Sequence, residues 1–557
     1  MIGLAGILAL LGVSPVCAQD YRDYLCRETR QPFFRAQGGP EGPRRVTTRR
    51  RLAHPIAFEV PKPPRTRRIL VVGESVAAIL WEAEGDAVTE AGRRAWPGWS
   101  VEHVNAGMTA YNSRRIAAVL EEALAYEPDL AIVLSGNNEH DGLELCPSLW
   151  EGVERRFRRS TAFRALEKAF AGKPNGREYE RRASLARHEW QLRRMVQAAR
   201  ERSVPIFLAT LPPNERDYPP WGEAPWASAA FARGMERLEA GSPEEASLAF
   251  GRRLSEEPGD AFAHWYLARA LDASGRPEQA REHFAEAVER DARGDRSSRG
   301  RNAMIRRVAA EEGAGLADLE AAFRSAAPGG VIGGERLADG VHWYPRFNRF
   351  AAAALLSSVR RSSHCAALGP WDAQALERFA REAAAAQASP ERRREELKKV
   401  LLYGIRNASY WAATDRLGAV NELPVVLFER VDREDRAWLL ELSRGKSALR
   451  AQLVKNYWVQ DLAEDLDQWW PVYLLHLGEM YRRKGEAALA LRFLDQALAL
   501  SPGRRRVRLW RSLALRALGR DKAAAAELAK LGESDPVVGA VRKSRVESTT
   551  GGGPSRR

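Results

Sequence analysis

Four short clusters carry residue types that together can run acyl transfer through a serine. They are Gly73-Glu74-Ser75, Asn105-Ala106-Gly107, Ser135-Gly136-Asn137-Asn138-Glu139 and Asp339-Gly340-Val341-His342. A serine hydroxyl is a weak nucleophile until a base lies within hydrogen-bond reach, and the His342 imidazole can take the Ser75 proton. That ring needs an acceptor on its other nitrogen to hold one tautomer, and Asp339, three residues earlier, carries a suitable carboxylate. A developing oxyanion needs donors already in place. The backbone N–H of Ser75, that of Gly107 (where no side chain obstructs approach) and the side-chain amide of Asn138 can supply them. Glu74, Asn137, Glu139 and His140 read as rim residues that can touch a substrate. Each cluster alone has a blander reading: Ser75 as a helix N-cap, Asn138 as a loop residue satisfying nearby backbone, His342 as a structural histidine beside Trp343. His103, His188, His264, His283 and His476 read as surface or packing residues.

The elements around the clusters place them well. Four apolar runs, Ile69–Val72, Val101–Asn105, Leu130–Leu134 and Pro205–Ala209, read as strands. Helical patterns lie between and after them, at Ser113–Tyr126, Ala183–Arg200 and Arg346–Val359. Strands alternating with helices argue for a parallel sheet covered on both faces, where functional residues gather at the carboxyl ends of the strands. The first three clusters follow three of the runs directly. Ala77 stands where the nucleophile elbow G-x-S-x-G needs its second glycine, which argues against an α/β-hydrolase.

The order of the clusters resembles the SGNH hydrolases, also called the GDSL esterase/lipase superfamily, whose four blocks are Gly-Asp-Ser, a glycine, Gly-x-Asn-Asp and Asp-x-x-His. The resemblance implies a flavodoxin-like three-layer α/β/α sandwich. It also implies Ser75 as nucleophile, Asp339 and His342 as the rest of the triad, and Ser75, Gly107 and Asn138 around the oxyanion. Two departures stand out: Glu74 and Glu139 occupy positions where the family has Asp. The stretches PKPPRTRRILVVGES and SGNNEHDG further resemble a subgroup of large bacterial members that carry tetratricopeptide repeats.

A 34-residue period supports that second likeness. Gly241, Ala246 and Phe250 recur as Gly275, Ala280 and Phe284, with Gly234 and Ala268 at the small position where helices cross. The period returns at Gly485 and Gly519, and at Ala490 and Ala524. At about 150 residues per domain, 557 residues predict three or four domains. Residues 19–65 read as an Arg- and Pro-rich tether or strap, and 66–218 with 295–366 as the two parts of the sandwich. An inserted repeat pair occupies 222–294 and is expected to lean on the sandwich, since fewer than three stacked units are usually unstable alone. Residues 371–470 read as helix-rich, 471–536 as a second repeat pair and 537–557 as a disordered basic tail.

Residues 1–18 form an apolar stretch with Val16 and Ala18 placed for cleavage after Ala18, which reads as a secretory signal peptide. An uncleaved membrane anchor and a buried apolar segment are the other readings. The formal charge of +14 comes from basic residues spread along the chain, so nucleic acid is not the expected partner. Cys26, Cys146 and Cys365 would remain after cleavage; one disulfide among them or three thiols are both open, and no spacing suits zinc. No cofactor is expected. These readings converge on an exported serine esterase acting on a short acyl ester, for example O-acetyl on a polysaccharide, with repeats for a protein partner. An acyltransferase using the same triad and an interaction scaffold with a silent hydrolase domain are the alternatives.

Overall fold

The computed structural model describes residues 31–38, 42–50, 53–82, 85–139, 176–385, 389–412, 417, 419–420, 422–455, 459, 463, 466–532 and 535–543. The readings placed on residues 1–18, on Cys17, Cys26 and Cys146, and on His140 lie outside them.

The first described elements form an antiparallel meander, β1 (Phe34–Gln37), β2 (Arg44–Thr48) and β3 (Ala57–Val60). β4 (Thr66–Gly73) follows, then α1 (Ser75–Ala78), α2 (Ala87–Ala95), β5 (Ser100–Gly107), α3 (Ser113–Ala123), β6 (Leu130–Leu134), α4 (Gly176–Glu201) and β7 (Ile206–Thr210). Four helices are then inserted: α5 (Ala229–Glu239), α6 (Pro243–Glu256), α7 (Ala261–Ala273) and α8 (Pro277–Glu289). The first unit resumes with α9 (Arg299–Glu312), β8 (Gly315–Asp318), α10 (Leu319–Ser325), α11 (Asn348–Arg361) and α12 (Ala373–Ala385). The remaining helices are α13 (Pro390–Ala412), α14 (Leu423–Glu429), α15 (Arg433–Leu442), α16 (Lys446–Leu453), α17 (Leu466–Arg483), α18 (Ala487–Leu500), α19 (Arg505–Ala517), α20 (Asp521–Ala529) and α21 (Pro536–Lys543).

The chain divides into two compact units, one holding residues 16–214 and 294–387, the other the insertion 215–293 with 388–557. The first is a three-layer α/β/α sandwich. Its sheet is parallel throughout, in the order β8-β7-β6-β4-β5. Counted along the chain this is the flavodoxin-like order 2-1-3-4-5, whose ligand crevice opens where the order reverses, at the carboxyl ends of the first and third strands. Those are β4 and β6. Alternation along β4 sorts the layers: Leu70 and Val72 join the core with residues of α3, α4 and α9, while Ile69 lies beside Gly92 of α2 on the other face. α11 and α12 pack on α2.

Three features depart from the sequence reading. Within the segment read as a tether or strap, Phe34–Gln37, Arg44–Thr48 and Ala57–Val60 form the meander, and Phe33, Phe34, Val46, Phe58 and Val60 join the sandwich core. β8 is a fifth strand that its Gly and Ala content concealed. α21 occupies the start of the expected tail, with Val537 and Val538 buried.

The second unit is helical. α5–α8 form two antiparallel pairs, and α17–α20 two more. Bare positions let the pairs close up: a Cβ at Gly234 would lie 2.5 Å from the Phe250 ring, and one at Gly478 would lie 2.5 Å from Leu494. The insertion finds its partner among the C-terminal helices of its own unit. Glu239 of α5 pairs with Arg482 and Arg483 of α17, Arg483 also pairs with Glu422, and Arg269 of α7 reaches Glu429 of α14. Gly234→Leu forces a branched side chain into the Phe250 ring. It is expected to destabilise the helical unit by about 1–3 kcal/mol, read as a lower denaturant midpoint in circular dichroism, whereas an unchanged midpoint would show the pair to be loosely packed.

Candidate active site

The site is assembled at the carboxyl ends of β4, β5 and β6. β4 ends at Gly73, and the chain turns directly into α1, so Ser75 stands at the first position of a short helix. On β5, Asn105 is fully buried and holds α1 in place: its Nδ2 donates to the carbonyls of Ala77 (3.1 Å) and Ala78 (3.4 Å). Its Oδ1 accepts the Gly107 N–H at 2.9 Å. The Gly107 N–H, expected beside the oxyanion, here donates to the Asn105 side chain. The glycine also serves approach, because a Cβ there would sit 2.3 Å from the Ala78 nitrogen. The same loop turns three residues later at Ala110, which takes φ 61° in the left-handed region without being glycine.

His342 lies 267 residues from Ser75 in sequence, yet its Nε2 is 2.7 Å from the Ser75 Oγ. Its Nδ1 is 2.8 Å from Asp339 Oδ2, while Asp339 Oδ1 accepts the N–H groups of Val341 and His342 at 2.8 Å each. A carboxylate accepts and cannot donate, so the proton sits on Nδ1 and Nε2 faces the hydroxyl as a base. Burial pushes the Asp339 carboxyl up, but the electrostatic pull of His342 and the three hydrogen bonds outweigh it and hold the group below its ordinary range.

The Asp339–His342 turn is fixed from three sides. Leu337 and Trp343 form an antiparallel bridge, with the Ala338 N–H donating to the His342 carbonyl at 2.7 Å. Trp343 Nε1 donates to Asn348, whose Nδ2 donates to the Ile79 carbonyl beside α1. From the loop after β7, Asn214 Nδ2 donates to the Asp339 carbonyl and Asn214 N–H to that of Gly340, both at 2.9 Å. Arg296 in turn donates to the Asn214 carbonyl at 2.7 Å. The sequence reading gave Asn105 no role and missed Asn214. Both lie at or just beyond a strand's carboxyl end, the one signal that would have marked them.

The loop after β6 carries Asn138, and residues expected on the rim are instead its anchors. Glu74 is fully buried, with Oε1 accepting the Asn137 N–H and Oε2 the Asn138 N–H, both at 3.0 Å. Asn137 is buried and accepts the Ser297 N–H on its Oδ1 at 2.8 Å. Glu139 is buried at the start of α3, where it accepts the Ser113 N–H and hydroxyl at 2.7 Å each. A helix N-terminus favours such an anion. Burial raises the Glu139 carboxyl, but His188, Arg301 and the Ser113 bonds hold it below its usual range. Asn138 is half-buried and donates from Nδ2 to the Tyr111 carbonyl at 3.2 Å; the amide has a second N–H.

Below the loop lies His188, fully buried, with Nδ1 3.1 Å from Arg301 and Nε2 3.2 Å from the Ser135 hydroxyl. Arg301 can only donate, so Nδ1 accepts and Nε2 carries the proton. Burial, aided by Arg301, lowers its pKa to about 4. The unfolded chain therefore binds a proton near pH 6.5 that the folded chain refuses until about pH 4. Among the described residues no group of three or more His, Cys, Asp or Glu is arranged to hold a metal ion, and no helix is long and apolar enough to cross a membrane.

Residues 237–299 match the family model of a tetratricopeptide repeat. The comparison with curated proteins finds no match. Among solved structures, the chain is similar to an acetyl xylan esterase, AlAXEase, at 15% identity over 52% of this chain and 99% of that one, with a TM-score of 0.28. It is similar to TesA at 16% identity over 53% and 98%, TM-score 0.22. It is also similar to a catalytic mutant of Axe2, an acetylxylan esterase from Geobacillus stearothermophilus, at 14% identity over 53% and 93%, TM-score 0.26.

Two outcomes follow from the geometry. Asn214→Ala should leave the fold intact and lower turnover by about ten- to a hundredfold, because small misplacement of a catalytic group is costly; unchanged turnover would show that the turn holds itself. The His188 contribution to stability should be lost as pH drops from about 6.5 towards 4, while the raised Glu74 carboxyl acts in the opposite sense, so His188→Gln should differ from wild type in the pH slope of its melting curves over that window; identical slopes would show that His188 contributes nothing. The chain thus joins a flavodoxin-like α/β/α sandwich, with the Ser75–His342–Asp339 relay at its switch point, to tetratricopeptide repeats.

Proposed function

We propose that this chain is an SGNH-type serine ester hydrolase working through an acyl-enzyme on a short acyl ester, such as O-acetyl on a polysaccharide. The observation that carries the reading is the continuous hydrogen-bonded relay from Ser75 Oγ through His342 to Asp339. In the first half-reaction Ser75 Oγ bonds to the ester carbonyl carbon while its proton passes to His342 Nε2. Negative charge gathers on the carbonyl oxygen, where the Ser75 N–H and the second N–H of the Asn138 amide serve as donors. Collapse breaks the ester C–O bond, and the leaving alcohol takes the proton back from His342. In the second half water loses a proton to Nε2, attacks the acyl carbon, and the Ser75 oxygen leaves with that proton. Asp339 keeps the ring in one tautomer and stabilises the imidazolium throughout. The short acyl group follows the resemblance of the four blocks. Export rests on the signal-like residues 1–18, and the repeats supply a surface for a protein partner.

The test uses an activated acetyl ester and a fluorophosphonate probe. Wild type should turn over the ester and be labelled at Ser75. Ser75→Ala should lose the label and at least about a thousandfold of turnover, and Asp339→Asn should lose a comparable factor. Folded wild type that neither reacts with the probe nor turns over ester would overturn the reading and leave an interaction scaffold.

A further inference from the structure

Glu74 joins the two sides of the site through one residue. Its main chain is fixed three times over. The N–H donates to the Leu134 carbonyl at the end of β6 (3.1 Å), and the carbonyl accepts the N–H groups of Ala77 (2.9 Å) and Ala78 (3.2 Å) as the cap of α1. The residue that follows is Ser75. Its side chain turns the other way, and each carboxylate oxygen holds one N–H of the loop that carries Asn138.

We propose that Glu74 is a positioning residue for the oxyanion donor, setting the placement of the Asn138 amide relative to the Ser75 hydroxyl. The inference rests on the reading of Ser75 as nucleophile. The geometry needs both oxygens as acceptors, which an ionised carboxylate supplies. A neutral acid turns one oxygen into a hydroxyl whose proton needs its own acceptor in a fully buried place. Length matters as much as charge. The family resemblance has Asp here, and the extra methylene of Glu74 is what reaches two consecutive N–H groups of this loop. The charged and titratable groups facing it are Glu139 on the same loop and His342 across the site. Burial, with Glu139 adding to it, pushes the Glu74 carboxyl up to about 8, against the opposing pull of the two N–H bonds and His342.

The test is a double-mutant cycle in the full chain with an activated acetyl ester. In Glu74→Gln the amide oxygen accepts one N–H and the NH2 group faces the other. Measured above pH 8, where the wild-type Glu74 carboxyl is ionised, the expected result is a kcat loss of about ten- to a hundredfold with KM within about twofold. Asn138→Ala alone should lose a similar factor. The combined variant should be little worse than Asn138→Ala, because Glu74 acts through Asn138. Wild-type kcat should also show a limb that rises with pH through about 8 and is absent from Glu74→Gln. Should Glu74→Gln fail to fold, Glu74→Asp keeps the charge but shortens the reach, and its loss should likewise be absorbed in the Asn138→Ala background of the same cycle. Losses that multiply in the combined variant, or a Glu74→Gln kcat within twofold of wild type, would overturn the proposal. Failure of wild type itself to react with fluorophosphonate would instead remove the nucleophile reading beneath it.

Discussion

The hydrogen bond between Ser75 Oγ and His342 Nε2 is the constraint around which the sandwich is arranged. Its two partners come from opposite ends of the domain sequence, separated by four strands of the sheet, several helices and an inserted helical segment. A 2.7 Å separation tolerates little drift on either side. The serine side is rigid because α1 is pinned by Asn105 and pressed against the bare Gly107. The histidine side is rigid because its turn is bridged to itself, clamped by Asn214, and tied through Trp343 and Asn348 to the residue just after α1. Neither side relies on a flexible loop adopting the right shape by chance; buried polar groups that must find partners impose it.

A second set of buried groups shapes the loop after β6. Glu74 and Glu139 are carboxylates taken out of water, which is costly unless hydrogen bonds compensate. Each finds backbone N–H donors at a place where the chain has them to spare, one in a loop and one at a helix start. His188 and Arg301 complete the layer beneath. The chain therefore uses buried ionisable residues to set the geometry of residues 135–139, among which Asn138 is half-exposed.

Much of this was legible in the sequence, for physical reasons. Four strands were visible because residues buried on both faces read as apolar runs, and their order with the intervening helices predicted a doubly wound sheet. The serine, histidine and aspartate were visible because acyl transfer through a serine needs those residue types, and because the order of their blocks resembles the SGNH hydrolases. What stayed hidden lacked such a signature. β8 is written in Gly, Leu, Ala and Asp, the meander alternates core phenylalanines with arginines, and the commitment of the Gly107 N–H depends on where the Asn105 side chain turns. Burial of Glu74 and Glu139 was equally invisible, since an acidic residue beside a catalytic serine reads as surface until the hydrogen-bond partners are known.

The repeats enter the sandwich at a consequential place. The chain leaves after Asn214 and returns at Gly294, and the residues at those two seams hold the Asp339 turn and, through Ser297, the loop of Asn137. The graft is thus sewn with the same threads that keep the proton relay taut. Asn214, Arg296 and Ser297 belong at once to the seams of the insertion and to the network that fixes Asp339 and Asn137.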